Sequence, residues 1–101
     1  MLNGTVAYRW CSPENVDGLQ DAINKLYREL PGWWWSVGNC HISADACVGP
    51  DRDGPDAALL NLPEFRNGID GSLLHPATLT DALLHAIELA KATKARCRTS
   101  A

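Results

Sequence analysis

Trp33-Trp34-Trp35-Ser36-Val37-Gly38-Asn39-Cys40-His41-Ile42-Ser43 is the stretch whose reading decides the fold. Glycine and asparagine supply the positive φ angles of a two-residue hairpin turn, so Gly38-Asn39 predicts a tight corner between two antiparallel strands. In that register Val37 faces Cys40, Trp35 faces Ile42 and Trp33 faces Ala44. Side chains alternate along a strand, so these residues share one apolar face. Trp34, Ser36, His41, Ser43 and Asp45 fall on the other face, which is polar apart from one large aromatic.

Outward from the hairpin, Ala44, Ala46 and Val48 continue the apolar alternation, with Asp45 and Cys47 opposite. Upstream, Ser12-Pro13-Glu14 reads as a helix start: a serine cap, proline in the first turn and an acid at the positive helix end. Val16, Leu19, Ile23, Leu26, Tyr27 and Leu30 follow at helical spacing, and Pro31-Gly32 ends the helix. Residues 1–12 hold Thr5-Val6-Ala7-Tyr8-Arg9-Trp10, either an edge strand or an arm packed on the sheet. Downstream, Gly49 to Asp56 is a loop by composition. Its Asp-x-Asp-Gly core lacks the remaining acids of a calcium loop and reads as a solvated turn. Ala57 to Arg66 suits a short strand or a helical turn, with Leu59, Leu62 and Phe65 plugging one end of the core.

Residues 68–74 predict a third strand with Ile69, Gly71 and Leu73 inward and Asp70 and Ser72 outward. The last helix starts at Thr78, paired with Asp81 in a capping box, and buries Leu79, Ala82, Leu83, Ala86, Ile87 and Ala90. His85 lies on its outer side. The fold class is therefore α+β: two layers, helix-strand-strand-strand-helix, with an antiparallel three-stranded sheet and both helices on one face. One domain spans residues 13–95, followed by a basic tail over 96–101.

Composition limits the function. With 101 residues, 46% hydrophobic and 21% charged, the chain suits one globular domain. No apolar run approaches the ~20 residues of a membrane span. Met1-Leu2-Asn3-Gly4 lacks the basic start and apolar core of a secretion signal, so the reading is cytoplasmic. From Lys91 onward there are four basic residues (Lys91, Lys94, Arg96 and Arg98) and no acid. The other ninety residues hold five bases against twelve acids, a net −7. An acidic body argues against duplex nucleic acid as a partner, and cations are favoured at a helix C-terminus. Cys11, Cys40, Cys47 and Cys97 include no Cys-x-x-Cys pair. Adjacent Cys40 and His41 point to opposite faces, so reduced, mostly buried thiols are expected rather than a zinc site. No metal or cofactor is expected.

Three blocks carry a resemblance. They are Leu30-Pro31-Gly32-Trp33-Trp34-Trp35-Ser36-Val37 preceded by Asp21-Ala22; Asn39-Cys40-His41-Ile42-Ser43 with Ala46-Cys47-Val48-Gly49-Pro50-Asp51; and Pro76-Ala77-Thr78-Leu79 with Ala82-Leu83 and Ala86. Together they resemble a family of small proteins of tailed phages and prophages of proteobacteria, described as phage α-β-α sandwich domains. The resemblance covers roughly residues 18–92, with the Pro-Gly-Trp-Trp-Trp block the most specific part. The first seventeen residues and 53–67 do not match. It implies a phage or prophage accessory protein inside a bacterium, and brings no catalytic residues with it. The element order is also similar to that of double-stranded RNA-binding domains, but the acidic body and the lack of a basic helix start oppose that function.

Ser36, His41, Ser43 and Asp45 share the open face, the residue types of a nucleophilic triad. A flat face of short side chains offers neither an oxyanion hole nor shelter from water, so no enzyme is expected. The candidate binding surface is Trp34, Ser36, His41, Ser43 and Asp45, with Trp10 of the N-terminal segment. Two partners suit it. One is a host or phage protein, with the chain as an inhibitor of host defence or an assembly module. The alternative is a nucleotide, such as a cyclic defence signal, stacked on Trp34. Arg9, Arg66 or Lys91 would then reach its phosphates across a subunit boundary of a homo-oligomer.

Overall fold

A computed structural model describes residues 18–39, 42–74 and 76–99. Within them the order is helix α1 (Leu19–Glu29), strands β1 (Trp33–Asn39) and β2 (Ser43–Pro50), a 3₁₀ turn (Ala57–Asn61), one turn of helix α2 (Pro63–Arg66), strands β3 (Ile69–Asp70) and β4 (Leu73–Leu74), and helix α3 (Leu79–Thr99). The sheet is antiparallel in the order β1-β2-β3, with β4 also paired to β2, and both long helices contribute to one core against it. The α+β architecture expected from the sequence is the one observed.

The hairpin differs from expectation in one respect and agrees in another. β1 and β2 pair as Val37 with Ala46, Trp35 with Val48 and Trp33 with Pro50, so each β1 residue meets a partner six positions beyond the expected one. Gly38 and Asn39 are strand residues opposite Asp45 and Ala44, and Gly38 has no positive φ. The corner falls beyond Asn39. The reason is the longer ladder: seven cross-strand pairs form, where a corner at Gly38-Asn39 would allow five between Trp33 and Ala44. The shift is an even number of residues. Every side chain that stays in the ladder therefore keeps its face, because strand periodicity is two. Ile42, expected to face Trp35, is instead 60% exposed beyond the ladder.

Gly49 and Pro50, expected in the loop, are the buried end of β2, and the loop begins at Asp51. The third strand keeps a single register with β2, since Ile69 meets Val48 and Leu73 meets Ala44. It is interrupted at Gly71-Ser72, although the Gly71 amide still donates to the Ala46 carbonyl at 2.8 Å. The interruption is an Asx-type turn: Asp70 Oδ1 accepts from the Ser72 amide at 2.9 Å and from its hydroxyl at 2.6 Å.

α1 begins at Leu19 after a left-handed Gly18 (φ 78°), so no continuous helix passes through Gly18. The expected start at Ser12 lies outside the described residues. Leu19, Ile23, Leu26 and Leu30 are buried with Ala22, whereas Tyr27, expected in the stripe, is exposed and accepts a hydrogen bond from Trp35 Nε1 at 3.2 Å. The tyrosine ring follows its polar tip to the surface.

α3 starts as expected. Asp81 N donates to Thr78 Oγ1 at 3.0 Å and Thr78 N to Asp81 Oδ2 at 3.2 Å, a reciprocal capping box. Its six expected inward residues are all fully buried. The helix runs on through Thr99, so the expected tail from residue 96 is helical over 96–99. Gly71 sits under it: a Cβ there would lie 2.5 Å from Ala86 N and 2.6 Å from Ala82 O. A missing side chain on the strand and alanines on the helix let the two backbones close up.

Phe65 fills one end of the core, edge-on to Trp33 with ring centroids 5.9 Å apart, and Leu59 and Leu62 pack beside it. Asp56, expected in a solvated turn, is instead an anchor. Its Oδ2 accepts from Trp33 Nε1 at 2.7 Å and from Lys94 Nζ at 2.9 Å. Lys25 bonds Glu88, and Lys91 bonds Glu29 and Glu88, tying α1 to α3 across the solvent side. No helix among the described residues is long and apolar enough to cross a membrane.

Candidate functional site

The sheet face turned away from the helices is set by residues one step out of phase with the core. β1 contributes Trp34, Ser36 and Gly38; β2 contributes Ser43, Asp45, Cys47 and Gly49; Asp70 and Leu74 come from β3 and β4. Trp34 lies on this side, as its parity requires, and is 39% exposed. Its ring is seated on the sheet in a cradle of two glycines. A Cβ at Gly49 would come within 2.5 Å of Trp34 Cζ2, and one at Gly68 within 2.6 Å of Cη2. Gly68 also has φ 86°, so backbone and space both call for glycine there.

Beside the ring is an open depression of about 610 Å³ whose lining includes Ser36, Asp45, Cys47, Asn67, Asp70 and Ser72. Cys47 is at its centre, opposite Ser36 on one side and Asp70 on the other. Its Sγ lies near the Trp34 ring, since a Cβ at Gly68 would meet both. Asp45 is diagonal to Ser36 and to Asp70, and its Oδ1 accepts from the Ser43 hydroxyl at 2.9 Å. Of the expected surface, Trp34, Ser36, Ser43 and Asp45 share this face; Ser36 and Asp45 line the depression, while Ser43 lies at the hairpin end, six β2 residues from Gly49, the partner of Trp34. His41 and Trp10 lie outside the described residues.

Two groups on this face are shifted from their ordinary titration ranges, each by a local cause. The two Ser72 bonds hold the Asp70 carboxyl below the usual carboxylate range, so it is charged at neutral pH. Burial, with the Asp70 charge in support, pushes the Cys47 thiol up and keeps it protonated. A nucleophilic cysteine needs the opposite shift. Cys47 Sγ lies 3.7 Å from the Asn67 carbonyl, a weak acceptor and not a base. Among the described residues no group of three or more His, Cys, Asp and Glu is placed to hold a metal ion.

Among the described residues, the cations expected to serve a phosphate across a subunit boundary do not line the depression of their own chain. Lys91 is bonded to Glu29 at 2.6 Å, Arg66 is absent from the lining of the depression, and Arg9 is outside the described residues. Cys47, Asp70, Ser72 and the two glycines were not singled out in the sequence as part of this surface. Asp70-Gly71-Ser72 is a sequence signal for an Asx turn, and glycine within a strand signals close approach of another group. Comparisons of the chain with protein families, with curated proteins and with solved structures yield no match.

Proposed function

We propose that this chain is a non-enzymatic binding module that docks another protein on the outer face of its sheet. The observation that carries the reading is Trp34, held in a glycine cradle with its ring partly open to solvent beside a polar depression. A rigidly seated indole supplies large contact area at little entropic cost, the character of an interface anchor. The proposed setting is that of a phage or prophage accessory protein, an inhibitor of host defence or an assembly module. It rests on the resemblance of the Pro31-Gly32-Trp33-Trp34-Trp35 block and its companions. A protein is favoured over a nucleotide because, among the described residues, the lining of the depression has two carboxylates and no Lys, Arg or His, which disfavours phosphate.

The test pairs capture with a melting screen. Full-length protein and Trp34→Ala are immobilised and exposed to extract from phage-infected bacteria, and both are melted with a nucleotide panel, cyclic nucleotides included. A protein retained by the wild type and lost with Trp34→Ala, with no nucleotide raising the melting temperature, is the expected result. A nucleotide that stabilises the wild type but not Trp34→Ala would replace the protein reading by the nucleotide one.

A further inference from the structure

We propose that the partner segment docked on the outer sheet face bears two arginines at alternate positions, one guanidinium on Asp45 and the other on Asp70, with apolar flanks resting on Trp34 at one end and on Leu74 at the other. This rests on the proposed docking role of that face and specifies its occupant. Asp45 and Asp70 are diagonal neighbours on adjacent strands, which puts their backbones about 7–8 Å apart on one face. Both line the same depression. Each takes its intramolecular hydrogen bonds on Oδ1: Asp45 from Ser43, Asp70 from Ser72. Among the described residues no donor takes the second oxygen of either carboxylate, which is left for a donor from outside. The hydrogen bonds that hold Asp70 ionised also fix its orientation.

A guanidinium suits this site better than an ammonium. Its planar fork of N–H groups matches a carboxylate, it sheds water more readily, and it stacks on an indole. The apolar ends set the length of the segment. Leu74 pairs with Ser43 at the hairpin end and is 77% exposed. Trp34 pairs with Gly49, six residues further along β2. At 3.3–3.4 Å per residue these ends are about 20 Å apart. An extended segment of about seven residues spans that distance, with alternate side chains meeting apolar, acidic, acidic and apolar ground in turn. A second copy of this chain is a poor occupant, because face-to-face packing would set carboxylates against carboxylates. Its Lys91 and Lys94 are already bonded to Glu29 and Asp56.

The probe is the peptide acetyl-Leu-Ser-Arg-Ser-Arg-Ser-Leu-amide, with versions in which both arginines are lysine, glutamine or glutamate. Each is titrated into the full-length ¹⁵N-labelled protein. The arginine peptide should move the amide signals of Ser36, Asp45, Cys47 and Asp70 and the Trp34 indole signal. The glutamine version should bind at least about tenfold more weakly, as two screened ion pairs imply. Asp45→Asn should lose a comparable share of the arginine preference with an unchanged melting temperature. Asp45→Asn/Asp70→Asn should lose nearly all of it. If the glutamine peptide moves the same signals as strongly, the charge assignment falls and the docking role of the face stands. A lysine peptide of equal affinity overturns the guanidinium assignment. If no peptide moves these signals, the occupant proposed here is wrong, while the Trp34→Ala capture decides the docking role separately. Movement of the same signals by a nucleotide overturns both.

Discussion

The inner face of the sheet carries Ala44, Ala46 and Val48 at 0–3% exposure beneath the helices, while the outer face, one residue out of phase, carries Trp34, Ser36, Asp45, Cys47 and Asp70. Each face depends on missing side chains, though for different purposes. Inside, Gly71 lets the backbone of α3 press against the strand. Outside, Gly49 and Gly68 let an indole ring lie on the sheet. The neighbour of Gly71 is helix backbone, locked by its own hydrogen bonds and by a core that cannot expand cheaply. The neighbour of Gly49 is the far part of a side chain that can swing toward solvent. The same added methyl group should therefore cost much more on one face than on the other, and the outer cost should appear in binding before it appears in stability.

The largest expected effect is at Gly71. Gly71→Ala should destabilise by about 3 kcal/mol, the upper part of the range for overpacking, and denaturant unfolding would measure it. A loss below about 1 kcal/mol would mean that α3 does not lie as close to the strand as described. Next is Asp56→Ala, which strips the partner from the Trp33 indole and from the largely buried Lys94. Unpaired polar groups of this kind cost about 1–3 kcal/mol, so the midpoint should drop clearly. Asp56→Asn, which keeps an acceptor, should recover part of it.

Gly49→Ala should cost only about 1–2 kcal/mol, since the ring can leave its cradle. Its stronger signature is a changed Trp34 indole signal and loss of any partner retained by the wild type. If Gly49→Ala and Gly71→Ala prove equally damaging, the contrast between the faces fails.

The smallest effect is electrostatic. Bonds from Lys91 and Lys25 hold the Glu29 and Glu88 carboxyls below the usual carboxylate range. The folded chain thus gives up these protons more readily than the unfolded chain. This contribution is fully present above the ordinary carboxylate range and is lost as pH falls through the lowered folded-state values. Asp70 behaves in the same way through Ser72. Lys91, pushed up by Glu29, loses its share only as pH rises past the ordinary lysine range. Melting temperatures of the wild type and Glu29→Gln from pH 6 to pH 3 should converge at the acid end, and added salt should shrink their difference at pH 6.

The two faces also show how far residue patterns reach. All six expected inward residues of α3 are buried, and the Thr78–Asp81 capping box forms, because helical periodicity and capping are local properties. The assignment of Trp34, Ser36 and Asp45 to the outer face holds even though the hairpin corner is misplaced, because parity is unchanged by an even shift. Gly38-Asn39 has the local chemistry of a tight turn, yet the longer ladder takes precedence. Tyr27 has the spacing of a core residue, yet its hydroxyl meets Trp35 Nε1 at the surface. Asp56 looks like one more loop acid, yet Trp33 and Lys94 reach it from 23 and 38 residues away.

From the sequence alone came the element types, the side of the sheet each strand residue occupies, and the capped alanine-rich helix that covers it. Each of these depends on neighbours a few positions away along the chain. The strand register, the glycine cradle beneath Trp34, the diagonal pairing of Asp45 with Asp70 and the use of Asp56 as an anchor were decided only by the tertiary structure. They depend on which distant segments arrive side by side, and the choice among competing pairings belongs to the energy of the whole core.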